Sequence, residues 1–377
     1  MQIVEVKTGD TLYALARRYG TTVEVLAYDN QIADPARLTP GQSLVIPGGS
    51  VPGVRSAEVN AYAYPNIAPA TLEEALPSLT YLCPFSWRYT AQGELLPLGD
   101  EELTEAAWEA DTAPMLTLTN IGPAGGFSSE LGHTLLNDRD VQEAVLDQLE
   151  AAIRERDYYG LNLNLEYLFP FDRDAYSSFV ARAAERLHPL GCPVATAIAP
   201  KESAGQEGFL YAAHDYGAHG AAADRVILMT YEWGYTFGAP QAISPVNRIR
   251  RVLDYAVTVI PRQKILLGLS NYAYDWTLPW RQGAAARILS DAAAVELAVS
   301  RGAEIHFDAE AAAPWFNYLD AEGAAHVVWF EDARSVLARA RLVEEYGLAG
   351  VSIWTVNQAN RTLWRVLEGV LGTEKLL

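Results

Sequence analysis

Hydrophobic positions in this chain follow two periods. Near the start, Ile3, Val4 and Val6 make a short strand-like run, and Thr8-Gly9-Asp10-Thr11 follows with turn and helix-start chemistry. Leu12, Leu15, Ala16 and Tyr19 then recur at helical spacing until Gly20 stops the helix. Thr21 and Thr22 open a second helix through Leu26, and Leu44-Val45-Ile46 gives a return strand closed by Pro47. The pattern predicts a small self-contained βααβ domain over residues 1–48. Gly48-Gly49-Ser50-Val51-Pro52-Gly53 has linker composition, and a linker is expected over 49–55.

From residue 56 onward, apolar strands alternate with helices. The strands are expected at Val59–Ala63, Leu79–Pro84, Met115–Thr119, Leu161–Glu166, Val194–Ala199, Val226–Tyr231, Ile265–Leu269 and Val351–Thr355. Helical periods fall between them, for example Asp140–Arg156, Asp172–Leu187 and Asp332–Tyr346. Eight strands with helical crossovers predict an α/β fold, a (β/α)8 barrel over 56–377. The long gap between the seventh and eighth strands holds further strand-like runs around Phe307, Trp315 and Trp329. It predicts an inserted α+β subdomain at about 275–330, flanking the face where the strands end.

One strand is unusual. Tyr159-Gly160-Leu161-Asn162-Leu163-Asn164-Leu165-Glu166 alternates with period two. Its leucines face one side. Asn162, Asn164 and Glu166 face the other, roughly 6.6–7 Å apart at a rise of about 3.3 Å per residue. A row of amides ending in one carboxylate suits a strand that delivers a single acid to a sugar pocket.

Composition narrows the partners. The chain has 28 Lys plus Arg against 47 Asp plus Glu, a net charge of −19, which argues against nucleic acid or an anionic membrane surface. Its 20 Tyr and 9 Trp supply rings with polar handles, which suit the C–H faces and hydroxyls of sugars. Cys83 and Cys192 sit in apolar runs and read as buried thiols rather than a disulfide or a nucleophile. No run approaches the roughly 18 apolar residues of a membrane span. No basic-then-apolar signal segment opens the sequence, so the protein is expected to be made in the cytoplasm and to stay in its cell or leave by another route. The histidines show no metal-ligand spacing, and no phosphate loop is present.

The N-terminal unit resembles a LysM domain. The matching residues are Val6-Lys7-Thr8-Gly9-Asp10-Thr11-Leu12, Ala16-Arg17-Arg18-Tyr19-Gly20, Asn30 and Leu38 through Pro47. The resemblance implies binding of peptidoglycan or another N-acetylglucosamine-containing glycan. The groove would involve Gly9, Asp10, Thr11, Leu12, Asn30 and Ile32. Relatives often carry two such modules; one is found here.

Glu166, the segment Met229-Thr230-Tyr231-Glu232-Trp233-Gly234 and the run Val351-Ser352-Ile353-Trp354 together resemble glycoside hydrolase family 18. The longer matches Tyr81 to Ser86, Tyr167 to Arg173, and Met229 to Gly238 followed by Ala242 to Val246, resemble its spore cortex-lytic branch. The resemblance implies a retaining β-N-acetylglucosaminidase that needs no metal or organic cofactor. The substrate's own acetamido oxygen is the nucleophile, and Glu166 is the general acid/base. It assigns Tyr231 to orienting the acetamide and Trp354 to flooring the reacting sugar. Met229, Asn162, Glu232, Trp233 and Tyr62 would line the substrate site, with Asn60, Tyr64, Tyr235, Trp276, Trp280 and Trp329 extending it. It also implies a monomer acting in the spore coat or cortex region, or cell envelope, of a spore-forming bacterium.

The family pattern Asp-x-x-Asp-x-Asp-x-Glu is broken here: its positions hold Tyr159, Asn162, Asn164 and Glu166. Asn164 can offer a carbonyl oxygen to the acetamide N–H but supplies no charge. Loss of one preorganised group costs roughly 10²–10³ in rate. With Asn162 and Asn164 both neutral, Glu166 also lacks the like-charge neighbour that helps hold its proton, so desolvation alone, or a carboxylate from another strand, would have to do that. Glu232 is the nearest by motif, and Glu202, Asp275 and Glu331 are further candidates. Two other readings stay open: a non-catalytic glycan-binding barrel, and a chitinase or other endo-β-N-acetylglucosaminidase.

Overall fold

The computed structural model describes residues 1–48 and 55–376. The expected linker therefore lies outside the described residues, apart from Arg55, which already belongs to a strand. Strands Gln2–Glu5 and Ser43–Ile46 pair antiparallel around helices Leu12–Tyr19 and Val23–Asp29. Thr11 and Thr22 cap the two helices with their side chains, and Gly20 ends the first at φ 68°. Leu12, Leu15, Leu26, Leu44 and Ile46 form this unit's own core.

Eight parallel strands follow: Arg55–Ala63, Tyr81–Pro84, Ala113–Thr119, Gly160–Asn164, Val194–Ile198, Arg225–Leu228, Ile265–Ser270 and Gly350–Trp354. Each pairs with the next, and the eighth pairs with the first, so the sheet closes into a barrel. All eight expected strands are present. A short ninth strand, Leu371–Thr373, extends the first at its start. Sequence periodicity did not mark so short a segment.

The alternation that predicted the strands also sorts the core. Leu161, Leu163 and Leu165 point outward into the layer between barrel and helices. That layer is completed by helices such as Arg139–Glu155, whose Val141, Val145, Leu149 and Ile153 are buried on one stripe. A second, inner cluster of Tyr62, Cys83, Phe85, Met115, Ile227 and Met229 fills the barrel axis. Cys83 is a buried free thiol pushed up to about 12 by desolvation; Cys192 is also free and half-buried.

The insertion is a five-stranded antiparallel sheet with the helix Asp291–Arg301 on one face. It spans strands Ala273–Leu278, Arg287–Leu289, His306–Asp308, Ala313–Leu319 and Ala325–Trp329. The N-terminal unit is fastened to the barrel beside it. Ile305 N donates to Pro40 O at 3.0 Å, and Thr39 Oγ1 to Ala303 O at 2.6 Å. Arg334 bridges Glu5 and the carbonyl of Gly41, while Arg365 pairs with buried Asp29 at 2.9 Å. Gln31 bonds both Ala359 O and Arg361 N. Gly41 is required at this joint, because a Cβ there would lie 1.8 Å from Ile305 O.

Candidate active site

The fourth strand ends at Asn164, two residues before the expected end. Glu166 therefore sits in the loop at the strand's C-terminal end, where barrel loops build active sites. Asn120, just past the third strand, locks that loop: it accepts from Glu166 N at 3.0 Å and donates to Glu166 O at 2.8 Å. Its position after Thr119 was the signal for it in the sequence, and the strand reading passed over it.

Glu166 is half-buried, and loss of water around its carboxyl raises its pKa to about 7. A hydrogen bond from Asn164 lowers it, and the charge of Glu232 raises it again. Glu232 is thus the carboxylate from another strand. Glu202, Asp275 and Glu331 are committed elsewhere. Glu202 pairs with Arg248 and Arg251, Asp275 with Arg287 and His326, and Glu331 with buried Arg339.

Glu232 lies at the cleft rim with φ 64°, an uncommon backbone for a non-glycine residue. Hydroxyls of Tyr272 and Tyr274 donate to its carboxylate and oppose the upward shift that burial imposes. Neither tyrosine was singled out in the sequence, although both follow the seventh strand with period two.

Tyr231 is packed in the cleft near Glu166 and Glu232. Burial first, then these two negative charges, push its hydroxyl far above the usual range, so it remains a donor. Gly268 on the seventh strand makes room for the ring: a Cβ there would meet Tyr231 Cε1 at 2.9 Å. Trp354 is half-buried, with Tyr62, Tyr64 and Phe85 edge-on at 5.3, 5.8 and 4.8 Å. Met229 forms part of the cleft floor.

The amide row is buried. Asn162 donates to the Tyr62 hydroxyl at 3.0 Å, and its Oδ1 has no partner. Asn164 is 3% exposed and its Oδ1 is likewise unpartnered. Glu166, Met229, Tyr231, Glu232, Trp233 and Tyr235 line one cleft of about 350 Å³, together with Tyr167 and Tyr211.

Other expected positions fall elsewhere. Trp276 is fully buried and spends its N–H on Gly238 O, so it is a packing residue of the insertion. Asn60 lies lower in the barrel, bonded to Ser352 and Cys83, with only Tyr64 of its row exposed at the mouth. In the N-terminal unit, Leu12 is a core residue rather than a groove residue. The Asn30 amide is spent on Leu26 O and on both backbone groups of Val45. Gly9 and Thr11 remain exposed, and Asp10 and Ile32 are half-buried.

Fold and cleft together define a carbohydrate-cleaving barrel, and the chain belongs to the glycosyl hydrolases family 18, whose model matches residues 108–359. The LysM domain model matches residues 4–47. The chain is 41% identical to a Bacillus subtilis "Cortical fragment-lytic enzyme", covering 97% of each. It is 36% identical to the Bacillus anthracis protein of the same name, again over 97% of each. Among solved structures, the Bacillus cereus spore cortex-lytic enzyme SleL superposes with a TM-score of 0.93 at 34% identity, covering 99% of this chain and 98% of that one.

Proposed function

We propose that this protein hydrolyses spore-cortex peptidoglycan as a retaining β-N-acetylglucosaminidase. The observation that carries the reading is Glu166: a carboxyl in the cleft whose pKa of about 7 leaves it able to hold a proton at neutral pH.

In the first step Glu166 gives its proton to the glycosidic oxygen as the C1–O bond breaks. The substrate's acetamido oxygen closes on C1 and forms an oxazolinium, with the sugar stacked over Trp354. The Tyr231 hydroxyl donates to the acetamido oxygen and sets its direction. Asn164 Oδ1, buried and unpartnered, accepts the acetamide N–H. In the second step the Glu166 carboxylate takes a proton from water, whose oxygen attacks C1 and opens the oxazolinium with net retention. Negative charge near the cation comes from Glu232 rather than from the amide row.

The LysM unit, held on the barrel beside the insertion, carries N-acetylglucosamine chains on the surface around Gly9 and Thr11. The domain division is 1–48 for this unit and 56–377 for the barrel. The protein acts as a monomer in the cortex region of the spore.

The test is digestion of cortex fragments containing muramic-δ-lactam, followed by mass spectrometry. Wild-type cleavage that Glu166→Gln abolishes is the expected result. Binding without cleavage by either protein would favour a glycan-binding barrel. Cleavage of chitin oligomers but not of cortex would favour a chitinase.

A further inference from the structure

An aromatic surface leaves the cleft at Tyr167 and continues well outside it. Tyr167 lines the cleft beside Glu166 and is itself 45% exposed. Its ring lies 6.2 Å from Phe127 and 6.4 Å from Phe209, which is 46% exposed. Phe209 meets Phe169 at 6.1 Å, and Phe169 stacks on Phe171 at 5.1 Å and 13°. Phe171 is 73% exposed, the most open large hydrophobic side chain described.

This strip is braced. His133 sets its ring edge-on to both Phe169 and Phe171, and buried Asp172 holds His133 Nδ1 at 2.8 Å and Asn137 Nδ2 at 2.8 Å. Tyr167 has φ 53°, a conformation that persists only where its surroundings enforce it. Here Ser129 donates to Tyr167 O, and Asn120 clamps the preceding residue on both sides. Exposed rings are therefore fixed in place rather than left to collapse onto the barrel.

Its position gives it a direction. Trp354, on the eighth strand, leans on rings from the first strand and from the loops after the first two strands. The strip is built from the loops after the third, fourth and fifth strands, across the barrel mouth. Glu166 stands between the two. We propose that the strip Tyr167–Phe209–Phe169–Phe171 is a binding platform for the glycan strand on the leaving-group side of the cleaved bond, running outward from Tyr167 beside Glu166. This rests on the proposed hydrolase reading, which places the reacting sugar over Trp354. The exposed ring faces fit the C–H faces of uncharged sugars. The chain's charge of −19 disfavours an anionic lipid surface as the occupant.

The test compares the complete chain with a Phe171→Ala/Phe209→Ala double variant, both in the Glu166→Gln background, for binding to N-acetylglucosamine oligomers and to long cortical strands. The expected result is a loss of roughly tenfold in affinity for long strands, and less than twofold for a tetramer. In the active background, KM for long strands rises while kcat holds. Equal affinity of both proteins for long strands overturns the proposal. Equal losses on long and short ligands with a lowered melting temperature mark a structural role and overturn it too. So does a wild-type dimer that the double variant dissociates, since the occupant would then be a second copy. If wild type binds long strands through the strip but cleaves nothing, the platform stands and the hydrolase reading falls.

Discussion

Glu166 carries a cost that the fold accepts only when the carboxyl loses its proton. Its ordinary pKa of 4.5 becomes about 7 in the cleft, chiefly because water is withdrawn from it. A folded-state value above the unfolded one means that the folded protein binds this proton more tightly. Below about pH 4.5 both states are protonated and nothing is lost. As pH rises through 7, the unfolded chain ionises freely while the folded one must ionise a desolvated group, so stability falls. At 1.36 kcal/mol per unit the loss has an upper bound of about 3 kcal/mol, because Glu166 is only half-buried. Glu166→Gln keeps the shape and cannot ionise. It should match wild type near pH 4 and exceed it by up to about 3 kcal/mol at pH 8.5. For 377 residues that is about 4 °C in melting temperature. Thermal unfolding of both proteins at the two pH values, with activity measured beside it, is the assay. A melting difference that does not change with pH would refute the desolvated acid, and with it the basis for proton donation at neutral pH.

Asn164→Asp removes the hydrogen bond that lowers the Glu166 pKa and adds a like charge, so the alkaline limb of the pH–rate profile should move above 7. A higher pKa adds protonated carboxyl only on the alkaline limb and leaves the acid plateau of kcat unchanged. A gain on that plateau would report charge stabilisation of the developing cation, and an unmoved limb would refute the Asn164 contact. Asn120→Ala should lower kcat roughly 10–100-fold in steady-state kinetics while KM changes little, because Glu166 loses both backbone anchors. Gly41→Ala places a Cβ 1.8 Å from Ile305 O, so hydrogen exchange at the Ile305 amide should accelerate while the helix Ala333–Tyr346 keeps its protection.

Strand alternation carried the architecture. Leu161, Leu163 and Leu165 could be assigned one face because a half-buried strand repeats every two residues. Helix ends were legible where caps were local, as at Thr11, Gly20 and Asp332. What escaped depends on distant partners. Asn120 and Glu166 are 46 residues apart, and Tyr272 and Tyr274 reach Glu232 across 40 and 42. Trp276 looked like a sugar ring because composition cannot say which tryptophan a sheet buries. Leu12 and Asn30 looked like groove residues because a motif records which residues recur, and not whether they contact a ligand or hold a turn. The joint between LysM unit and barrel has no local signal at all: each contact links residues hundreds of positions apart.

The short strand Leu371–Thr373 sets an order of events during synthesis. It pairs with Arg55–Ala57, and Lys375 beside it reaches carbonyls of Leu76, Leu79 and Ala110 and the Thr112 hydroxyl. The first strand also waits for Gly350–Trp354 to close the barrel. The two edges of the sheet thus meet only after some 300 residues have been added, and contacts of such long range form slowly. Until Gly350–Trp354 and Leu371–Thr373 have left the ribosome, an open-edged sheet with its inner face unsealed is all that the earlier strands can build. The cleft is therefore completed only after these segments emerge, and until then exposed strand edges need shielding in the cell.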